Sequence, residues 1–157
     1  MKNVILILFL FFLNNCGYTS VYKNQNSQDF QIKVINMTGD NEINNLIKNE
    51  LKFYSNRSSN IKYDISINSE YQKIIVSKNS AGVATDYKLI VDTEISFDKE
   101  DKNNILNFNE NINIKSNSNS FEQNNYEKNL KKNFASSISN KLIINILSNK
   151  WLLNPLR

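Results

Sequence analysis

The sequence predicts an α+β domain: a two-layer sandwich in which two helices cover one face of a four-stranded, mostly antiparallel sheet, in the order β-α-β-β-β-α. Three observations predict it. Residues 83–97 alternate apolar and polar side chains with a single interruption, residues 43–54 and 126–146 carry apolar side chains at helical spacing, and polar turn-forming residues separate these stretches. A period of two means a strand with one packed and one wet face, so the helices belong on one side and the other stays polar and open.

Phe30, Ile32 and Val34 alternate with Gln31 and Lys33, a strand that ends at Thr38-Gly39-Asp40. Asp40 is an N-cap candidate and Glu42 suits a first helical turn. Ile43, Leu46, Ile47, Leu51 and Tyr54 then form one apolar helical stripe. Tyr63, Ile65 and Ile67 begin a second strand, expected to kink near residues 68–70 and to resume through Ile74, Ile75 and Val76 before a turn at residues 78–82. The third strand sets Val83, Thr85, Tyr87, Leu89, Val91, Thr93, Ile95 and Phe97 against Asp86, Lys88, Asp92, Glu94 and Asp98, with Ile90 the one apolar residue on the polar side. A charged turn over residues 98–104 leads to a fourth strand marked by Leu106, Phe108, Ile112 and Ile114. After a polar loop, a helix is expected over residues 121–147, with Tyr126, Leu130, Phe134, Ile138, Leu142 and Ile146 every four residues. A four-residue step drifts ~40° per repeat against 3.6 residues per turn, and Ala135, Ile143 and Leu147 widen the stripe to follow it. Trp151, at the head of an apolar tail, reads either as a cap over the end of the core or as a surface for a partner.

The start of the chain is different in kind. Lys2, an apolar run over residues 4–13 and an abrupt polar step have the layout of a secretory signal. The run is half the ~20 residues that a membrane-spanning helix needs. It stops at Cys16, the sole cysteine. Cys16 has no partner for an internal disulfide and, in a chain without histidine, no imidazole to activate it. A cysteine after a short hydrophobic run resembles the lipobox of bacterial lipoproteins, although Asn14 and Asn15 stand where small residues are usual. The resemblance implies a signal peptide over residues 1–15, a lipidated Cys16 and a tether over residues 16–29. A secreted protein with a free thiol, or an uncleaved signal anchor, is the alternative. Each buried methylene contributes ~0.8 kcal/mol, so two or three fatty chains would hold the domain on a membrane. Gly17 after the cysteine resembles the pattern of lipoproteins sorted to the outer membrane.

Composition excludes more than it selects. Asparagine is the most frequent residue and proline occurs once, as in AT-rich genomes, so neither Asn runs nor Lys clusters are informative alone. A net charge of +4 is too mild for a dedicated nucleic-acid binder and is compatible with an anionic membrane or lipid partner, compelling neither. Without histidine, a second cysteine or a glycine-rich phosphate loop, the chain lacks the usual machinery of an enzyme or metal site. Asp92 and Glu94, two apart on one strand face, are an acid pair in form and a solvated face by expectation.

In this order of elements the chain resembles the LptE family of lipopolysaccharide-assembly lipoproteins. The likeness rests on the stretch 16–22 (Cys-Gly-Tyr-Thr-Ser-Val-Tyr), the helix around residues 45–51, the hairpin over residues 76–89 and the long C-terminal helix. It implies one LptE-like domain over residues 30–157, anchored in the outer membrane and facing the periplasm. It also implies a non-enzymatic role without a cofactor beyond the covalent lipid, as partner and plug of an LptD-like outer-membrane β-barrel in lipopolysaccharide transport. Lys78 at the hairpin tip, with Lys73 and Lys88 behind it, would then contact lipopolysaccharide phosphates. Plain solvation is the alternative for each lysine, and an envelope lipoprotein without a barrel partner is the alternative for the whole.

Overall fold

A computed structural model describes residues 30–99 and 102–151. Cys16, the tether and the tail beyond Trp151 lie outside the described residues. The element order is β1 (Gln31–Gly39), α1 (Asn41–Glu50), α2 (Lys52–Ser55), β2 (Lys62–Lys78), β3 (Ala84–Lys99), β4 (Lys102–Lys115) and α3 (Ser120–Trp151). The strands form one sheet in the order β1-β2-β3-β4. β1 pairs with β2 in parallel and the other two pairings are antiparallel. The predicted α+β sandwich is therefore the observed fold.

Alternation decides which face is buried. Tyr63, Ile65 and Ile67 of β2 and Leu89, Val91, Ile95 and Phe97 of β3 join Ile43, Ile47 and Leu51 of the first helical segment and the α3 stripe in one core. α1 packs on α3, β1 and β2, and α3 also lies on β4. The opposite face carries Asn68, Glu70, Asp92, Glu94, Asn107 and Asn109, all exposed. In β1 the register shifts between Val34 and Asn36, so the inward set passes from Ile32 and Val34 to Met37.

Local chemistry sets the boundaries. The Asp40 carboxylate accepts from the Ile43 amide at 2.9 Å, capping α1 as its side chain suggests. Asn44, fully buried, donates from Nδ2 to the Thr38 carbonyl at 2.7 Å and ties α1 to the strand before it. Leu51 ends α1, and the rest of the expected stripe continues as the separate turn α2. At the other helix, Asn119 Oδ1 accepts from the amides of Phe121 and Glu122 at 3.0 and 3.3 Å, the cap that starts α3. An aromatic group closes the β1 entrance, with the Phe30 ring stacked on Tyr54 at 5.1 Å and Tyr63 edge-on between Phe30 and Phe97.

Three expectations are corrected. β2 does not kink near residues 68–70 but pairs with β3 without a shift there, and its irregularities fall after Ile75 and Ser77. The polar interruption is a buried pair: Ser69 Oγ and Thr93 Oγ1 lie 3.0 Å apart on the covered face and satisfy each other. The β3–β4 turn is shorter than residues 98–104, because the ladder runs on to the Lys99–Lys102 pair. Tyr126 leaves the α3 stripe and is 50% exposed, while Gln123 is buried one turn earlier.

Candidate functional site

The candidate site is built where β2 outruns β1. The last β1 pair is Gly39 with Ser69, so β2 from Tyr71 to Lys78 projects past β1 as the edge of a three-stranded arm with β3 and β4. The Asp40 amide donates to the Ser69 carbonyl at 2.6 Å, which marks the backbone parity at that edge. By that parity the backbone groups of Tyr71, Lys73 and Ile75 point away from β3. The arm exposes a cluster of apolar side chains: Ile74, Ile75, Val76 and Val83 are all exposed, Val83 by 60%. A long apolar strand edge is a pairing surface unless charge blunts it.

The tip is held by local hydrogen bonds. Asn79 Oδ1 accepts from the amides of Ala81 and Val83 at 3.0 and 2.9 Å, the Asn79 amide donates to the Val83 carbonyl at 2.9 Å, and Gly82 takes φ +80. A short polar side chain bonded to its own turn, with glycine at the left-handed position, holds such a loop without core contacts.

The three lysines named from the sequence have different places. Lys78 is exposed at the end of β2, paired with Ala84. Lys88 lies on the open face, between Ile74 and Asn113 in the ladder. Lys73 is turned to the helix side, where its ammonium lies 2.5 Å from Glu127 Oε1 and 4.2 Å from the centre of the Tyr87 ring. Lys78 and Lys88 therefore share the projecting arm, and Lys73 is committed to α3.

Sequence reasoning missed a fourth cation. Lys115 stands opposite Asp86 in the β3–β4 ladder, one diagonal from Lys88 on the open face. Asp86 itself accepts hydrogen bonds from Ser77 Oγ and, at 2.9 Å, from Thr85 Oγ1. The Ser77 and Thr85 hydroxyls, with Lys115 beside them, hold its carboxyl below the usual carboxylate range. Extending the β4 alternation from Ile112 and Ile114 by one residue would have placed Lys115 on the open face. The Ser77 contact depends on the register shift after Ile75, which no pattern announces.

Further along the open face the sign reverses. A shallow recess of about 650 Å³ is lined by Asn68, Glu70, Asp92, Glu94, Asn107 and Asn109, among others. Asp92 accepts from Asn109 Nδ2 at 2.6 Å. The face thus runs from a cationic end at Lys88 and Lys115 to an acidic and amide-rich middle. Among the described residues, no helix is long and apolar enough to cross a membrane.

Comparison with known proteins adds the fold. No protein-family model matches the chain, and no curated protein sequence matches it. Among solved structures it is similar to rare lipoprotein B from Shewanella oneidensis, with a TM-score of 0.57 at 12% identity over 78% of this chain and 98% of that one. A chain from Caulobacter crescentus classed as a lipoprotein gives a TM-score of 0.53 at 12% identity over 80% of this chain and 93% of that one. Likeness at such identity speaks for a shared fold.

Proposed function

We propose that this protein is an outer-membrane lipoprotein that partners and plugs an LptD-like β-barrel in lipopolysaccharide transport. The observation that carries the reading is the shared fold, which extends over 98% of the solved rare lipoprotein B chain, joined to a hydrophobic leader that ends in Cys16-Gly17. The sequence resemblance to the LptE family and this fold likeness point the same way. The architecture suits the task, because a one-domain wedge with a polar sheet face can stand in a water-filled barrel lumen without desolvating buried charge. Lys78, Lys88 and Lys115 on the projecting arm would meet anionic groups of the lipid, and no covalent chemistry is asked of any side chain.

A photo-crosslinking residue at Val76, exposed on the arm, tests the reading in cells that carry the intact envelope. The expected product is an adduct with a large outer-membrane barrel. Adducts with small envelope proteins alone would instead describe a lipoprotein without a barrel partner.

A further inference from the structure

The end of the domain opposite the arm carries a second surface. β2 joins the two ends, and its 17 residues at ~3.3 Å each separate Lys62 from Lys78 by about 50 Å. At the Lys62 end the chain enters the fold. The Gln31 amide donates to the Ile61 carbonyl at 2.8 Å, and Gln31 Nε2 donates to the Ser55 carbonyl at 3.1 Å, so residues 51–62 surround the point where the tether arrives.

This segment presents aromatic and basic groups to the outside. Phe53 is 56% exposed although its neighbour Tyr54 packs on Phe30, and Ile61 is also exposed. The Arg57 guanidinium lies over the Phe53 ring at 4.2 Å. Lys52 and Lys62 are also exposed, and from residue 48 to residue 64 the chain carries Lys48, Lys52, Arg57 and Lys62 against Glu50 and Asp64. An exposed ring under a cation, with further cations around it, is the build of a group that sits at a lipid headgroup layer, with its apolar part in and its charge at the phosphates.

We propose that this end, formed by α2 and the loop to β2, is a foot that rests on the anionic phospholipid surface in which Cys16 is anchored. The inference rests on the reading of Cys16 as the anchored residue. The tether over residues 16–29 reaches at most about 50 Å when extended, so anchoring holds the foot at an effective concentration near its surface where even weak attraction keeps it seated. Each Lys or Arg close to an anionic bilayer strengthens that attraction about fivefold, and the effect is confined to a Debye length of ~10 Å.

The test does not depend on whether cells lipidate Cys16. The chain from residue 16 onward is coupled through its sole thiol to a maleimide phospholipid in saturated phosphatidylcholine vesicles, with or without phosphatidylglycerol, and hydroxyl-radical labelling of Phe53 and Val83 is read by mass. The expected result is a fall of about threefold or more in Phe53 labelling on the phosphatidylglycerol vesicles, with Val83 unchanged. The combined exposed-site changes Lys48→Gln, Lys52→Gln and Lys62→Gln should restore Phe53 labelling. Equal Phe53 labelling on both vesicles, or protection of Val83 in its place, overturns the proposal. The mass of lipid on Cys16 in cells is a separate measurement, so failure of the anchor reading and failure of the foot are distinguishable.

Discussion

Gly39 and Gly82 share a left-handed backbone, with φ of +81 and +80, yet their surroundings differ. A Cβ on Gly39 would lie 2.1 Å from the Ser69 carbonyl oxygen, which belongs to the sheet and cannot withdraw, whereas a Cβ on Gly82 would meet nothing within 4 Å. Gly82→Ala should therefore cost only the ~1–2 kcal/mol of a left-handed non-glycine residue. Gly39→Ala adds a backbone clash and should cost about 3 kcal/mol or more, both values read from urea unfolding. Tyr71 makes a second residue-scale prediction. Its hydroxyl is buried and makes no hydrogen bond among the described residues. Burial first, and then the charges of Glu127, Glu42 and Asp40, push its phenol up to about 12. Near pH 10 the unfolded chain releases a proton that the folded protein keeps, so the Tyr71 contribution is complete below pH ~10 and is lost as pH rises toward ~12. Tyr71→Phe should remove that part of the alkaline loss and leave stability at neutral pH equal or higher by up to about 1 kcal/mol, since an unpaired hydroxyl goes with it. Urea midpoints measured from neutral pH to pH ~11 decide it.

At the scale of elements, α3 shows what a sequence pattern can and cannot carry. Leu130, Phe134, Ile138, Leu142 and Ile146 are buried at the expected four-residue step, and Ala135, Ile143 and Leu147 follow the drift. Leu142→Ala should cost about 2–5 kcal/mol. Tyr126→Ala should stay within about 0.5 kcal/mol, and paired thermal melts separate the two. The stripe fails at Tyr126 because the surface under that end of the helix is polar. Lys73 of β2 meets Glu127 there, and Gln123 donates to the same carboxylate at 2.7 Å, so the inward positions belong to polar groups. The same reason hid the continuity of β2, where Ser69 and Thr93 replace an apolar contact with a hydrogen bond inside the core. Faces set by strict alternation, as in β3, were legible because one residue of slip would have moved every side chain to the wrong side. Lys73 illustrates the limit for the site. Its charge is plain in the sequence, but its partner Glu127 is 54 residues away and appears only when α3 is laid on the sheet.

Over the whole molecule, the two ends of the domain have different chemistry. One end gathers Phe53, Arg57 and the entering chain, and the other projects the Ile74–Val76 edge and the Lys78 tip, with Lys88 and Lys115 on the open face behind it. The core is confined to the helix side, so the polar face is free to meet water, lipid phosphates or a barrel wall. On the function proposed above, those surroundings are the lumen of a barrel of the LptD type. That function is tested most directly by isolating the protein from detergent-solubilised envelopes and identifying by mass what accompanies it. A large outer-membrane β-barrel should arrive in about equal molar amount and be retained through washing, as expected for a plug with an extensive interface. Recovery of the protein alone from envelopes in which such a barrel is present would contradict it.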